Sequence, residues 1–247
     1  MKLIEHCIVP EWPAPPNVRA LQSTRRGGVS EAPYDTLNLG DHVGDSPLAV
    51  AKNRQLFSAL VPSEPVWLSQ VHGVAVANAD TAGCLPSADA CIARGAGSVC
   101  VVMTADCLPV LLCDEQGTVV GAAHAGWRGL CNGVLERSVA AMGVAPQRLM
   151  AWLGPAIGPG AFGVGSEVRE AFVAAQPQAA RAFIALPGSG GKHLADIYLL
   201  ARQRLEALGV TRTYGGGLCT VSDGARFFSY RRDGATGRMG TFIWLAA

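Results

Sequence analysis

The 247-residue sequence contains no C-x-x-C pair, although it has eight cysteines, and no His-x-His pair among its five histidines. The first absence removes the usual short-range thiol motifs. The second argues against a multicopper oxidase, which needs many histidines to hold its blue and trinuclear coppers. Charge is scarce: charged residues make up 16% and the formal net charge is +1, so no global field points to nucleic acid or to an anionic membrane, and any anion site is local. A secretory leader is not expected either, because Glu5 and His6 stand where an apolar stretch would be needed. The apolar stretch 99–113 is interrupted by Asp106 and is too short to span a bilayer. A cytoplasmic protein with free thiols is therefore expected. There is no internal repeat, low-complexity tract or long linker, so residues 1–247 are expected to form one unit, with 1–17 as a proline-rich entry segment.

What is present is a chain rich enough in apolar residues, at 49%, to bury a sizeable core. Helix signals fall at four places. Ser46 precedes Pro47 and a helix to about Val61. A second is expected from Gly129 to Met142 with Gly143 as its stop, and a third from a Ser166 cap to about Ala175. The fourth starts near Asp196 and ends at Leu208, with Gly209 just beyond. Short runs rich in Val, Ala and Leu read as strands at about 18–24, 66–71, 75–78, 88–93, 98–104, 110–113, 118–124, 149–154, 212–216, 226–230 and 240–245. Several follow one another with no helix between them, which disfavours a doubly wound parallel sheet and favours a mixed or antiparallel α/β sandwich with helices outside.

The richest segment is a candidate hairpin. Thr104-Ala-Asp-Cys-Leu-Pro109 leads into an apolar run, Asp114-Glu-Gln-Gly117 supplies turn chemistry, and Thr118 to His124 returns. A four-residue loop at 114–117 pairs Cys113 with Thr118 and, further along, Cys107 with His124. Opposed side chains lie roughly 4.5–5.5 Å apart at Cβ, close enough to share a metal ion or a proton. Pro109 predicts an irregular or edge pairing there. His72, at the end of an expected strand, completes a Cys-His₂ set whose open fourth position is the pattern of a catalytic zinc site. Without metal, Cys107 would be a nucleophile with His124 as its base, and Asp106 would orient the histidine or bind substrate. The turn Ala125-Gly-Trp-Arg-Gly129 puts small residues and Arg128 beside this set, and the small residues would let a ligand approach the backbone. Two further segments combine glycine and arginine, Thr24-Arg-Arg-Gly-Gly-Val-Ser30 and 227–238. Arg25, Arg231 and Arg238, with Ser229 beside them, are candidates for a phosphate or carboxylate clamp. His42 is a candidate neighbour of the site. His6 and His193 read as surface residues, and Cys7, Cys84, Cys91, Cys100, Cys113, Cys131 and Cys219 as small packing groups.

Taken together, these strings closely resemble the YfiH-like family, whose members are also called polyphenol oxidases, laccase-domain proteins or peptidoglycan editing factors. The resemblance is carried by Thr24-Arg-Arg-Gly-Gly-Val-Ser30, Ser69-Gln-Val-His-Gly73, Thr104-Ala-Asp-Cys-Leu-Pro109, Ala122-Ala-His-Ala-Gly-Trp-Arg-Gly129, Leu153-Gly-Pro-Ala-Ile-Gly-Pro159 and Phe228-Ser-Tyr-Arg-Arg-Asp233, in the family's order. It implies a single-domain αββα fold similar to that of certain cysteine-hydrolase toxins. It also implies that His72, Cys107 and His124 bind one metal, zinc or sometimes copper. The implied activities are purine nucleoside phosphorolysis, adenosine deamination, phenol oxidation and, in one branch, amidase editing of a cell-wall precursor. The partners are then small molecules: a nucleoside with phosphate, or a nucleotide-sugar amino acid. A monomer is compatible with this. Gly163 stands where the family often carries Glu, a difference that bears on substrate preference.

Overall fold

The computed structural model describes residues 2–83 and 85–247, so the packing expected of Cys84 lies outside the described residues. In chain order the elements are β1 (Val18–Gln22), α1 (Pro47–Ser58), β2 (Val76–Asn78), β3 (Ala90–Ala93), β4 (Val99–Thr104), β5 (Leu108–Asp114) and β6 (Val120–Ala125). They continue with α2 (Trp127–Asn132), α3 (Val134–Met142), β7 (Leu149–Leu153), β8 (Gly163–Val164), α4 (Ser166–Ala175), β9 (Phe183–Ala185) and β10 (His193–Ala195). The chain closes with α5 (Ile197–Leu208), β11 (Arg212–Gly215), α6 (Tyr230–Asp233) and β12 (Met239–Leu245).

Six strands form a mixed sheet in the order β11-β7-β5-β6-β3-β2, and three form an antiparallel sheet, β1-β12-β4. A small sheet, β8-β10-β9, stands apart from both. The period-two alternation of strand side chains makes the layers. Along β5, Val110 and Leu112 face a core shared with Leu130, Leu135, Phe172 and Leu205 of the helices. Leu111 and Cys113 face the other way, toward Cys100, Val102 and Ile243 of the smaller sheet. That sheet turns Val101 and Phe242 outward against Phe57 of α1, and the two phenyl rings stack at 4.1 Å. The result is the expected αββα sandwich. Cys91, Cys100 and Cys113 are buried between the sheets as small hydrophobes, and Cys7, Cys131 and Cys219 are half-buried free thiols. No described helix is long and apolar enough to cross a membrane.

Several boundaries differ from expectation. The second helix is two, because Gly133 at φ 99° ends α2 and starts α3 in a left-handed conformation that a helix interior cannot hold. Gly165, not Ser166, is the residue before α4. The 66–71 run makes only single bridges, at Val66 and Ser69. The run expected as a strand at 226–230 is a loop leading into α6. Pro109 lies in a central strand and not at an edge. It sits near the start of β5, where its carbonyl still accepts from Gly154 N–H at 2.9 Å.

Candidate metal centre

β5 and β6 form the expected hairpin, with a corrected register. The loop keeps four residues but spans 115–118, and Asp114 pairs across it with Val119. The buried Asp114 carboxylate fixes that loop by accepting from Thr118 N (2.6 Å), Val119 N (3.0 Å) and Thr118 Oγ1 (2.9 Å). His124 therefore opposes Pro109, and Cys107 stands just ahead of β5, diagonal to the histidine. A slip of two residues keeps every side chain on its face, whereas a slip of one would have reversed them.

His72 reaches the same point from a turn. Its φ of 60° is unusual for a residue with a side chain, and a single carboxylate holds the turn in place. Asp89, fully buried just before β3, accepts from the backbone N–H groups of Val71 (3.2 Å), His72 (2.9 Å) and Gly73 (2.6 Å). The same carboxylate lies 2.8 Å from His124 Nδ1. That contact leaves His124 Nε2 to face Cys107. The two imidazole rings meet edge to face at 4.8 Å, and His72 Nε2 lies 3.8 Å from Cys107 Sγ. The three ligand atoms all lie within 4.8 Å of one another.

One thiolate and two imidazoles form a donor set suited to zinc or copper. The separations fit a small ion with bonds of about 2.0 Å to nitrogen and 2.3 Å to sulfur. His124 is buried, Cys107 half-buried and His72 exposed, so the centre opens on one side. Electrostatics favour the binding form of the sulfur, whereas the His124 ring has to give up a proton to bind a metal. Burial alone would push the Cys107 thiol up, but His124 and then His72 outweigh it and bring it down to about 6. Burial would lower His124, yet Cys107 and Asp89 raise it to about 9 in the metal-free protein. Burial also works against the charge on Asp89, but His124 and the backbone donors hold its carboxyl below the usual range.

A pocket of about 260 Å³ lies beside Cys107. Trp127, Phe162 and Ile157 supply its apolar walls, and Arg128 and Arg231 its charge.

Residues 19–246 match the family model described as multi-copper polyphenol oxidoreductase laccase. The chain is 57% identical over 241 residues to the purine nucleoside phosphorylase YfiH of Escherichia coli, covering 96% of this chain and 98% of the relative. The chain belongs to the YfiH family. It is also 56% identical over 238 residues to a purine nucleoside phosphorylase of Pseudomonas aeruginosa, covering 96% of this chain and 98% of that one. A crystal structure of a Neisseria meningitidis protein superposes with a TM-score of 0.94 at 52% identity, covering 98% of this chain and 100% of that one. YfiH of Bacillus licheniformis does so with a TM-score of 0.84 at 30% identity, covering 92% of each chain.

Within this chain the other expected site residues separate clearly. Arg128 is exposed at the pocket, its guanidinium 4.6 Å from the Trp127 ring, with no ion pair among the described residues. Arg231 also lines the pocket, and its Nη1 donates to Gly163 O at 3.0 Å. Arg25 does not belong there. Its guanidinium pairs with Asp35 at 3.1 Å, donates to Gly224 O and lies over Phe228, in a different hollow. Ser229 is buried and caps α6 by accepting from Arg232 N at 3.1 Å, so it is a structural cap and not a substrate contact. Asp106 does not orient His124. Its carboxylate accepts from Thr220 Oγ1 and Arg231 N, both at 2.6 Å, and Asp89 takes the role expected of it. Arg238 donates to the carbonyls of Thr236 and Gly237, and its charge interacts with Cys107 and Asp106. His42 is exposed beside Asp41, 3.5 Å away, and His6 and His193 are partly exposed.

The small residues of the 125–129 turn serve the protein's own packing. A Cβ on Gly126 would lie 2.9 Å from His72 Cδ2 and 3.0 Å from Cys107 Sγ, and one on Gly129 would lie 2.8 Å from Gly73 O. The residue that sequence reasoning missed is Asp89. Its signal was a lone acid in the apolar run Ala88-Asp-Ala-Cys-Ile92, a position where burial demands partners.

Proposed function

We propose that this chain is a zinc-dependent purine nucleoside phosphorylase. It would act on adenosine, inosine and methylthioadenosine with phosphate, with adenosine deamination as a second activity. One observation carries the reading: Cys107 of the three-donor set lines an aromatic-walled pocket together with two arginines that form no ion pair among the described residues. The names of the relatives point to the same reaction.

A divalent ion held by His72, Cys107 and His124 would supply a Lewis acid beside the pocket. The chain's own groups do the rest. Arg128 and Arg231 bind the phosphate dianion and hold it for attack at the ribose C1′, where positive charge develops. Trp127 and Phe162 give flat apolar surfaces for the purine. Asp89 orients the His124 ring directly and fixes the backbone of the turn that carries His72. Phenol oxidation with copper in the same set would be a minor activity: only one group of three such donors converges among the described residues.

The relay Cys107···His124···Asp89 favours a second reading, a hydrolase acting on an amide such as that of a nucleotide-sugar amino acid. Incubating the purified protein with adenosine, with and without phosphate, and with a cell-wall nucleotide peptide separates the two. Free adenine formed only with phosphate supports phosphorolysis. Amino-acid release with no adenine formed would overturn it in favour of the amidase. Metal analysis of the same preparation tests zinc against copper.

A further inference from the structure

Asp106 is the most heavily tied side chain on the pocket wall, and none of its hydrogen bonds goes to the metal ligands. Its φ of 92° lies in the left-handed region, a strained conformation for any residue but glycine, so the surrounding contacts hold it there. Its carbonyl accepts from Ile157 N–H at 2.9 Å. Its carboxylate accepts from Thr220 Oγ1 and from Arg231 N–H, both at 2.6 Å. One residue thus joins the Cys107 loop to three separate segments, and two of the joined residues, Ile157 and Arg231, line the pocket with it.

The tie to Arg231 has a mechanical meaning. α6 spans only Tyr230–Asp233, too short to hold its own shape. It is fixed at its start by Ser229, which caps it, and by Asp106, which takes the amide of Arg231. From that anchored backbone the Arg231 side chain passes 5.8 Å from the Phe162 ring centroid and donates once, to Gly163 O. It forms no ion pair among the described residues, so its other donors are open to an anion.

We propose that Asp106 is a positioning residue, acting through hydrogen-bond geometry and not through proton transfer, that sets where the Arg231 guanidinium meets phosphate relative to Cys107. The proposal rests on the phosphorolysis reading above. Its two partners make it separable from an acid–base role. The amide of Arg231 can only donate, whereas the hydroxyl of Thr220 can donate or accept. An asparagine therefore fits both: Oδ1 accepts from Arg231 and Nδ2 donates to Thr220. A positioning role survives that exchange, and a proton shuttle does not.

The test compares metal-loaded wild type with Asp106→Ala, Asp106→Asn and Thr220→Val. It measures KM for phosphate and for adenosine, kcat, bound metal, and hydrogen exchange of the Arg231 amide. Asp106→Ala should raise the phosphate KM about tenfold while adenosine KM and metal content stay close to wild type. Asp106→Asn should recover most of that loss, and Thr220→Val should fall between the two. Exchange at Arg231 should speed up in the alanine variant and slow again in the asparagine variant. An asparagine variant that loses kcat as severely as alanine, with phosphate KM unchanged, overturns the proposal in favour of acid–base chemistry. So does an alanine variant in which both KM values and metal content shift together. Should Asp106→Ala not fold, the asparagine and Thr220→Val variants decide alone. If the wild type does not split adenosine with phosphate, the reaction assigned above fails. Arg231 exchange then judges Asp106 separately, and equal rates in wild type and variants sink it.

Discussion

Two polar knots in this molecule each bring an arginine and an aspartate together, and they differ in whether the guanidinium pairs with the carboxylate. In the first, Arg25 donates to the side chain of Asp35 and to the carbonyls of Asp35 and Gly224. The buried amide of Asn53 donates to Ser30 Oγ and to the carbonyls of Thr36 and Asn38, and Asp45 accepts from Ser30 and Asn38. The strong donors there end on protein acceptors. In the second, the carboxylate of Asp106 is taken by an amide and a hydroxyl, and the Arg231 guanidinium forms no ion pair among the described residues. An arginine is available to an anion when no carboxylate has been folded against it. That is a property of tertiary distance, and an Arg-Gly composition does not carry it.

Substitutions should pull the two knots apart. The largest effect belongs to Cys107→Ala, which should lose bound metal and lower adenosine phosphorolysis on the order of a thousandfold, read by metal analysis and product chromatography. Full retained activity would remove Cys107 from the centre. Asp89→Asn should weaken metal binding by roughly 10–100-fold in a competition titration, because the His124 ring and the turn carrying His72 lose the carboxylate that holds them. Arg25→Ala should act on folding alone: a loss of about 2 kcal/mol, seen as a lower denaturant midpoint, with phosphate KM unchanged. A changed phosphate KM would merge the two knots. Arg231→Ala should do the reverse, raising phosphate KM about tenfold with the melting temperature nearly constant. The mildest probe leaves the sequence intact. In metal-stripped protein, alkylation of Cys107 should stay fast from pH 9 down to about 6 and slow only below that, since its pKa is depressed. The sign for stability follows. The thiolate's contribution is present above its unfolded pKa and is lost as pH falls through about 6. The imidazolium's is present below its unfolded pKa and is lost as pH rises through about 9.

Much of the fold was legible because local rules and tertiary packing agree. Pro47 at the start of α1, Asp196 capping α5 and Gly209 ending it fall where the sequence puts them. The strand runs were readable for the same reason, since apolar alternation and sheet burial coincide. The hairpin register missed by two residues because Asp114 is the cap of its loop and not its first member, a role visible only through its three short contacts. His72, Cys107 and His124 were readable as a set because metal ligands are few in kind and this chain has few histidines. Asp89 was not, because what marks it is the turn at 71–73 folding over it from 16 to 18 residues away. Arg25 and Ser229 were misplaced for a related reason: a composition cue says which groups can bind an anion, not which have already been taken.

One buried anion at position 89 grips a backbone turn on one side and an imidazole ring on the other. The two candidate nitrogen donors are thereby tied to a single claw, His124 by its ring and His72 by its backbone. Such a claw is shaped before any ion arrives. Stripping the metal with a chelator should leave the sandwich folded and the empty claw aligned, so that ions exchange in and out without unfolding the chain around them.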